Sequence, residues 1–241
     1  MKKALIFWGG WDGHEPEQVA TYIGSLLTEK GLEVTITNDM TCLEDKAYTA
    51  SFHLLVPVVT MSKISNEQVE SISEAVANGS GLLGCHGGMC DAFRESVLWQ
   101  FITGGNWVAH PGGDGINYTI NIKNSSSKLV EGMKDFQVCS EQYYLHVDPS
   151  VEVLATTRFP NPEVHWFHSS NQAVDIPQVW TKRWGHGRVW YTALGHVEAI
   201  VRMPEVTELI RRGADWAVEG KTLALENGLT LKDFESNAKM F

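Results

Sequence analysis

A chain of 241 residues with 43% hydrophobic and 20% charged residues carries enough apolar material for a substantial core, which excludes disordered and fibrous classes. A formal net charge of −10 excludes a broad phosphate-binding surface, and no basic stripe is present beyond the Arg211-Arg212 pair. Four cysteines, at 42, 85, 90 and 139, match neither a disulfide framework nor a CxxC site, so a reducing cytoplasm is expected.

The N-terminal MKKALIFWGGWDGHE reads as a first β-strand over residues 3–8 rather than a signal peptide, because Trp-Gly-Gly-Trp-Asp interrupts the apolar run. Residues 15–30 carry apolar positions at helical spacing, with Pro16 in the first turn and Gly31 as the stop. LEVTITN follows as a strand. The order then repeats: HLLVPVV at 53–59 is strand-like, and 65–79 is an amphipathic helix with Ser65 as N-cap and Gln68 at the capping-box position. GLLGC at 81–85 is the next buried strand. Such alternation predicts an α/β fold, a mostly parallel sheet with helices on both faces.

Beyond about residue 105, NYTINIK, EVLATTRF, QVWTKRW and RVWYTAL read as strands joined by short turns, with WGHGR as a hairpin, and predict an antiparallel extension of the sheet. Residues 204–220 form an amphipathic helix. No linker divides the chain, so one domain is expected over 1–220, with 221–241 a polar tail packed on it or extending from it. No apolar stretch approaches a membrane span.

The stretch GLLGCHGGMC at 81–90 has the form of a nucleophile elbow, a sharp strand-to-helix turn written G-x-Nuc-x-G. Gly84 and Gly88 satisfy that spacing and centre the turn on His86. Cys85 falls one residue early and Cys90 lies in the following helix, so register argues against a thiol acyl-transfer mechanism. His86 has company in other predicted strand-end loops: His14 after the first strand, His110 in GGNWVAHPGG, Glu141 and His146 in CSEQYYLHVDP, and His196 after RVWYTALG. Loops at the carboxyl ends of strands in open α/β sheets are where ligands bind.

Imidazoles with a carboxylate suit a divalent metal such as zinc or manganese. The expected metal ligands are His14, His86, His110 and His146, and the expected catalytic groups are His86, Glu141 and His196. Trp11, Trp107, Tyr143 and Tyr144 are expected to contact substrate, since aromatic faces stack on sugar rings; Trp8 and Trp166 lie near them in sequence. Trp180, Trp190 and Trp216 read as core. His53 reads as structural, and His165, His168 and His186 as loop histidines.

The segments GLLGCHGG at 81–88, GGNWVAHP at 104–111, EQYYLH at 141–146 and PQVWTKRWGHGRVWYTALGH at 177–196 resemble the ThuA (trehalose-utilisation) family over roughly residues 3–218. The last segment resembles the family's P-V-x-W…G-x-G-R-V-x-Y-x-x-L-G-H pattern almost throughout. The chain departs at Ser140, where family members often have Asp before the Glu of E-x-Y. The resemblance implies a flavodoxin-like, class I glutamine-amidotransferase-like fold with histidine in place of the amidotransferase cysteine. It also implies a role in disaccharide or glycoside catabolism, in association with dehydrogenases that make 3-keto-sugars. The expectation is therefore a cytoplasmic, metal-dependent enzyme that isomerises, eliminates or hydrolyses a 3-keto-sugar or related glycoside. The alternative is a non-catalytic sugar-binding or regulatory protein. The expected partner is a small-molecule sugar, with neither nucleic acid nor membrane, and a homo-oligomer is left open.

Overall fold

In a computed structural model, which describes residues 1–124, 126–164 and 167–234, the N-terminal half alternates strand and helix as the sequence pattern requires. β1 (Lys3–Gly10) leads through a short 3-10 turn into α1 (Pro16–Glu29), which returns to β2 (Glu33–Thr37). α2 (Lys46–Ala50) precedes β3 (Leu54–Thr60), α3 (Asn66–Ala77) and β4 (Gly81–Cys85). Pro16 occupies the first turn of α1, where its missing N–H costs nothing, and Ser65 and Gln68 form both halves of the capping box on α3.

After β4 come α4 (Gly87–Cys90), α5 (Val97–Thr103), β5 (Gly105–Ala109), β6 (Ile116–Ile122), β7 (Phe136–Ser140) and β8 (Tyr144–Val147). β9 (Glu152–Phe159), β10 (Val174–Trp184), β11 (Gly187–Thr192), α6 (Glu198–Val201) and α7 (Pro204–Asn227) complete the chain. The last helix runs on to Asn227, so the polar segment expected as a tail from 221 begins inside a helix, and a short turn over Leu231–Phe234 follows it.

Among the described residues, nine strands form one sheet in the order β2-β1-β3-β4-β11-β10-β9-β6-β7. The first five are parallel and the remainder antiparallel, which is the expected parallel core with an antiparallel extension. β5 and β8 pair separately as a two-stranded antiparallel ribbon. The inner parallel strands β1, β3, β4 and β11 are covered on both faces, whereas β2 at the sheet edge is partly exposed. Ala4 and Ile6 of β1 join Val19 and Ile23 of α1 and Leu209 of α7 on one face. Leu5 and Phe7 join Val69 and Ile72 of α3 and Trp99 of α5 on the other. Trp180 and Trp190 are fully buried, as read from the sequence, and Trp216 is half-buried.

This topology collects four strand ends at one edge. β1 and β3 are neighbours although the chain passes through β2 between them, which makes their carboxyl ends a topological switch point. The loops after β1, β3, β4 and β11 all emerge there.

Candidate functional site

His86 sits between β4 and α4 with φ 51° and ψ −131°, a strained conformation for a residue with a Cβ. Three contacts to β11 and the loop after it hold the turn. The His86 N–H donates to the Thr192 carbonyl at 2.7 Å, its carbonyl accepts from the Tyr191 hydroxyl at 2.9 Å, and its ring Nδ1 lies 2.8 Å from the Ala193 carbonyl. Gly88 has to be glycine: a Cβ there would stand 2.8 Å from the Pro57 carbonyl oxygen. Among the described residues, the other non-glycine positions with positive φ are Glu15 and Met61, directly after His14 and Thr60. Strain thus gathers at the ends of three adjacent parallel strands, as is common at functional sites.

Glu141, which follows β7, is the hub of the cluster. Its Oε2 lies 3.0 Å from His86 Nε2, 3.4 Å from His196 Nδ1 and 3.8 Å from His14 Nε2, and its Oε1 lies 3.8 Å from His110 Nε2. His14, His86, Glu141 and His196 are all buried. Burial pushes the Glu141 carboxyl upward, but His14, His196 and His86 together outweigh it and hold the group well below the usual carboxylate range. Burial is the largest influence on His86 and pushes it down to about 4, against the raising effect of Glu141. Burial also lowers His196, yet the nearby charges of Glu141, Asp114 and Glu15 leave it raised overall.

The proton pattern is unusual for a hydrogen-bonded network. A carbonyl oxygen only accepts, so His86 Nδ1 must carry a proton for Ala193, and a neutral ring then presents the bare lone pair of Nε2 to a carboxylate oxygen at 3.0 Å. His14 places Nδ1 2.8 Å from the Thr60 hydroxyl and Nε2 toward Glu141. His196 Nδ1 is buried and has no hydrogen-bond partner among the described residues. One potential ligand atom from each of His14, His86, Glu141 and His196 lies within 4.8 Å of the others. Ligands on a tetrahedral zinc stand about 3.4 Å apart, from bonds of about 2.0–2.1 Å, so a small cation fits this donor set with a modest inward movement. The chemistry of the donors also fits: neutral imidazoles and one carboxylate suit a borderline divalent ion.

The sequence candidates separate. His14, His86, Glu141 and His196 come together, so His196 and Glu141, expected as catalytic groups, join the expected ligands His14 and His86 in one set of potential donors. His110, expected as a ligand, lies at the mouth, half-exposed. His146 is not brought in. It occupies the same side of β8 as Tyr144, while Tyr143 and Leu145 point inward by strand alternation. His146 faces a groove of about 310 Å³ with Gln100, Phe101 and Asn106. Tyr144 packs edge-on against Phe159 at 5.2 Å and is likewise outside the cluster.

Tyr143 is buried and stacks on His86 with ring centroids 3.9 Å apart, so it supports the imidazole from below. Trp11 is exposed and meets His14 edge-on at 4.8 Å. Trp107 lies 5.5 Å from His110, with the Arg94 guanidinium 4.2 Å over its ring. His53 accepts from the Lys3 N–H and plays the structural part expected of it. His165, Trp166 and the side chain of His168 lie outside the described residues. Burial pushes the Cys85 thiol up to about 12 and also raises Cys90, which leaves neither as a ready nucleophile. Sequence reasoning missed Thr60, the Asp91–Arg94 pair and Asp114, whose Oδ2 lies 3.8 Å from His196 Nε2. The one available signal was position: Thr60 ends a parallel strand, and Asp114 sits in the glycine-rich loop that begins at His110.

A family model described as ThuA, trehalose utilisation, matches residues 3–217. No curated protein sequence matches the chain. A ThuA-like protein from Bacteroides uniformis is similar over 90% of this chain and 91% of its own, with a TM-score of 0.72 at 17% identity. A ThuA-like protein from Parabacteroides merdae aligns over 91% of each chain, with a TM-score of 0.71 at 19% identity. A cytoplasmic protein from Salmonella typhimurium aligns over 90% of this chain and 99% of its own, with a TM-score of 0.61 at 14% identity. These likenesses establish a shared fold. Because the family model spans residues 3–217 of 241, the chain belongs to the ThuA family, described by trehalose utilisation.

Proposed function

We propose that this protein is a divalent-metal-dependent enzyme of carbohydrate breakdown, acting on a neutral sugar derivative such as a 3-keto-glycoside. The observation that carries the metal is the convergence of the donors: one ring nitrogen each of His14, His86 and His196 approaches one buried carboxylate oxygen, and the other nitrogen of His86 is committed to a carbonyl. A cation at the centre of these donors would replace their mutual contacts with coordination. His14, His86, Glu141 and His196 would hold it, with zinc or manganese favoured by the donor types. The family description supports the carbohydrate class.

A bound divalent ion supplies Lewis-acid polarisation of a substrate oxygen. The protein's own contribution starts with His110, half-exposed and 3.8 Å from Glu141, which stands where a proton can be taken from substrate. In a 3-keto-glycoside the C2–H is acidic. His110 would remove that proton as the C1–O bond breaks and the C1–C2 double bond forms, and the same proton would return to the departing oxygen. Trp11 beside His14 and Trp107 beside His110 offer indole faces for a sugar ring. Tyr143 and the Thr192 and Ala193 carbonyls fix His86 while this happens.

Location in the cytoplasm is part of the same reading. It is supported by cysteines that are all free among the described residues and by the structurally similar Salmonella protein, which is described as cytoplasmic. Among the described residues, no helix is long and apolar enough to cross a membrane.

The test is a turnover screen of 3-keto-disaccharides and their parent sugars against metal-loaded protein, chelator-stripped protein and His110→Ala. Turnover that needs metal and falls with His110→Ala is expected. Binding of sugar by the loaded protein without turnover of any member would overturn the catalytic reading in favour of a sugar-binding or regulatory role.

A further inference from the structure

The three cluster histidines invite one question of proton bookkeeping. Each presents one nitrogen to Glu141, and to ligate a cation through that nitrogen each needs an acceptor for the proton on the other. For His86 that acceptor is the Ala193 carbonyl at 2.8 Å, and for His14 the Thr60 hydroxyl, 2.8 Å away, is able to accept. For His196 the group facing Nε2 is Asp114, at 3.8 Å. Asp114 differs from the other two in kind. It is a charged side chain, well exposed, carried on a loop whose glycines 112, 113 and 115 all have positive φ. The same loop begins with His110, whose Nε2 is also 3.8 Å from its carboxylate partner. Both contacts are just longer than hydrogen bonds, and a movement of about 1 Å toward the centre would make both, given N–H···O distances of about 2.7–3.2 Å.

We propose that Asp114 is the positioning residue for His196, holding the proton on Nε2 so that Nδ1 is left bare toward Glu141. The inference rests on the reading of the cluster as a cation site, yet its own claim concerns a tautomer. Without a fixed acceptor at Nε2, His196 would populate the form with Nδ1 protonated and hydrogen-bonded to Glu141, and that form cannot ligate. Asp114 makes the difference, and because it rides on the His110 loop, closure of that loop would prepare ligand and proton acceptor together.

The test reads the tautomer directly. Long-range nitrogen–proton correlation spectra of the metal-free protein at about pH 9, above the ordinary histidine range, assign each ring, with the His196 signal identified by its loss in His196→Gln. The Nε2-protonated form is expected in the unsubstituted protein, shifting toward the Nδ1-protonated form in Asp114→Ala and partly retained in Asp114→Asn, whose amide oxygen still accepts. Zinc affinity, measured by chelator competition, should fall about 10- to 100-fold in Asp114→Ala, the usual loss for an outer acceptor, with thermal stability unchanged. A His196 ring protonated on Nδ1 in the unsubstituted protein, or one indifferent to Asp114→Ala, overturns the proposal. If the unsubstituted protein binds no zinc, the cation reading falls, while the tautomer still decides the role of Asp114.

Discussion

Two histidines both expected as metal ligands meet opposite fates, and the contrast between their surroundings explains what makes a site in this fold. His86 follows a parallel strand buried on both faces, its backbone is strained, and three hydrogen bonds to neighbouring chain pin it against Glu141. His146 lies in the two-stranded β5–β8 ribbon, which has a buried side and an open side, and it falls on the open one. Proximity in sequence to Glu141 did not bring it in. In the parallel core every strand end points at the same edge, so the residues just past the strands converge there. In the ribbon a single step of register decides between site and solvent.

The largest effect expected from this contrast is at His86. His86→Ala should abolish retention of metal and reduce turnover to background, measured by elemental analysis and initial rates, because it removes a donor and leaves Glu141 buried with one fewer partner. A variant that keeps both would place the chemistry elsewhere. Next comes the elbow itself. Gly88→Ala drives a methyl into the Pro57 carbonyl and the backbone of Val58, neither of which can swing aside. A loss of about 1–3 kcal/mol is expected from overpacking of this kind, read as a lowered midpoint in denaturant.

A smaller effect belongs to the inward face of the ribbon. Trp107→Ala should raise KM for a sugar substrate by about tenfold, in line with about 0.5–1.5 kcal/mol for an aromatic contact beyond its burial, while metal content stays at the level of the unsubstituted protein. The smallest is on the outward face. His146→Ala should leave stability within about 0.5 kcal/mol, as for ordinary surface positions, and leave metal content and turnover unchanged. Loss of metal in His146→Ala would break the comparison, since it would require β8 to present its other face.

The same contrast separates what was legible in the sequence from what was not. Pro16, the Ser65–Gln68 capping box and the apolar runs of β1, β3 and β4 each carry a local rule, so the alternating half could be read residue by residue. The elbow was legible because Gly84 and Gly88 are both needed for close approach, to Met89 and to Pro57. β7 and β8 carry short, mixed sequences whose pairing depends on distant partners, so neither strand showed itself, and with β8 went the parity that sorts Tyr143 from Tyr144 and His146. Thr60 and Asp114 were invisible for a related reason. A threonine ending an apolar strand and an aspartate among glycines have many ordinary explanations, and only the folded chain places one against His14 and the other against His196.

The central claim is that His14, His86, His196 and Glu141 surround a cation. Elemental analysis of the protein purified without chelator, then stripped and reloaded with zinc or manganese, tests it most directly. One divalent ion per chain is expected, restored on reloading and lost in Glu141→Ala. Protein that stays free of stoichiometric metal after reloading, with its fold intact, would contradict it.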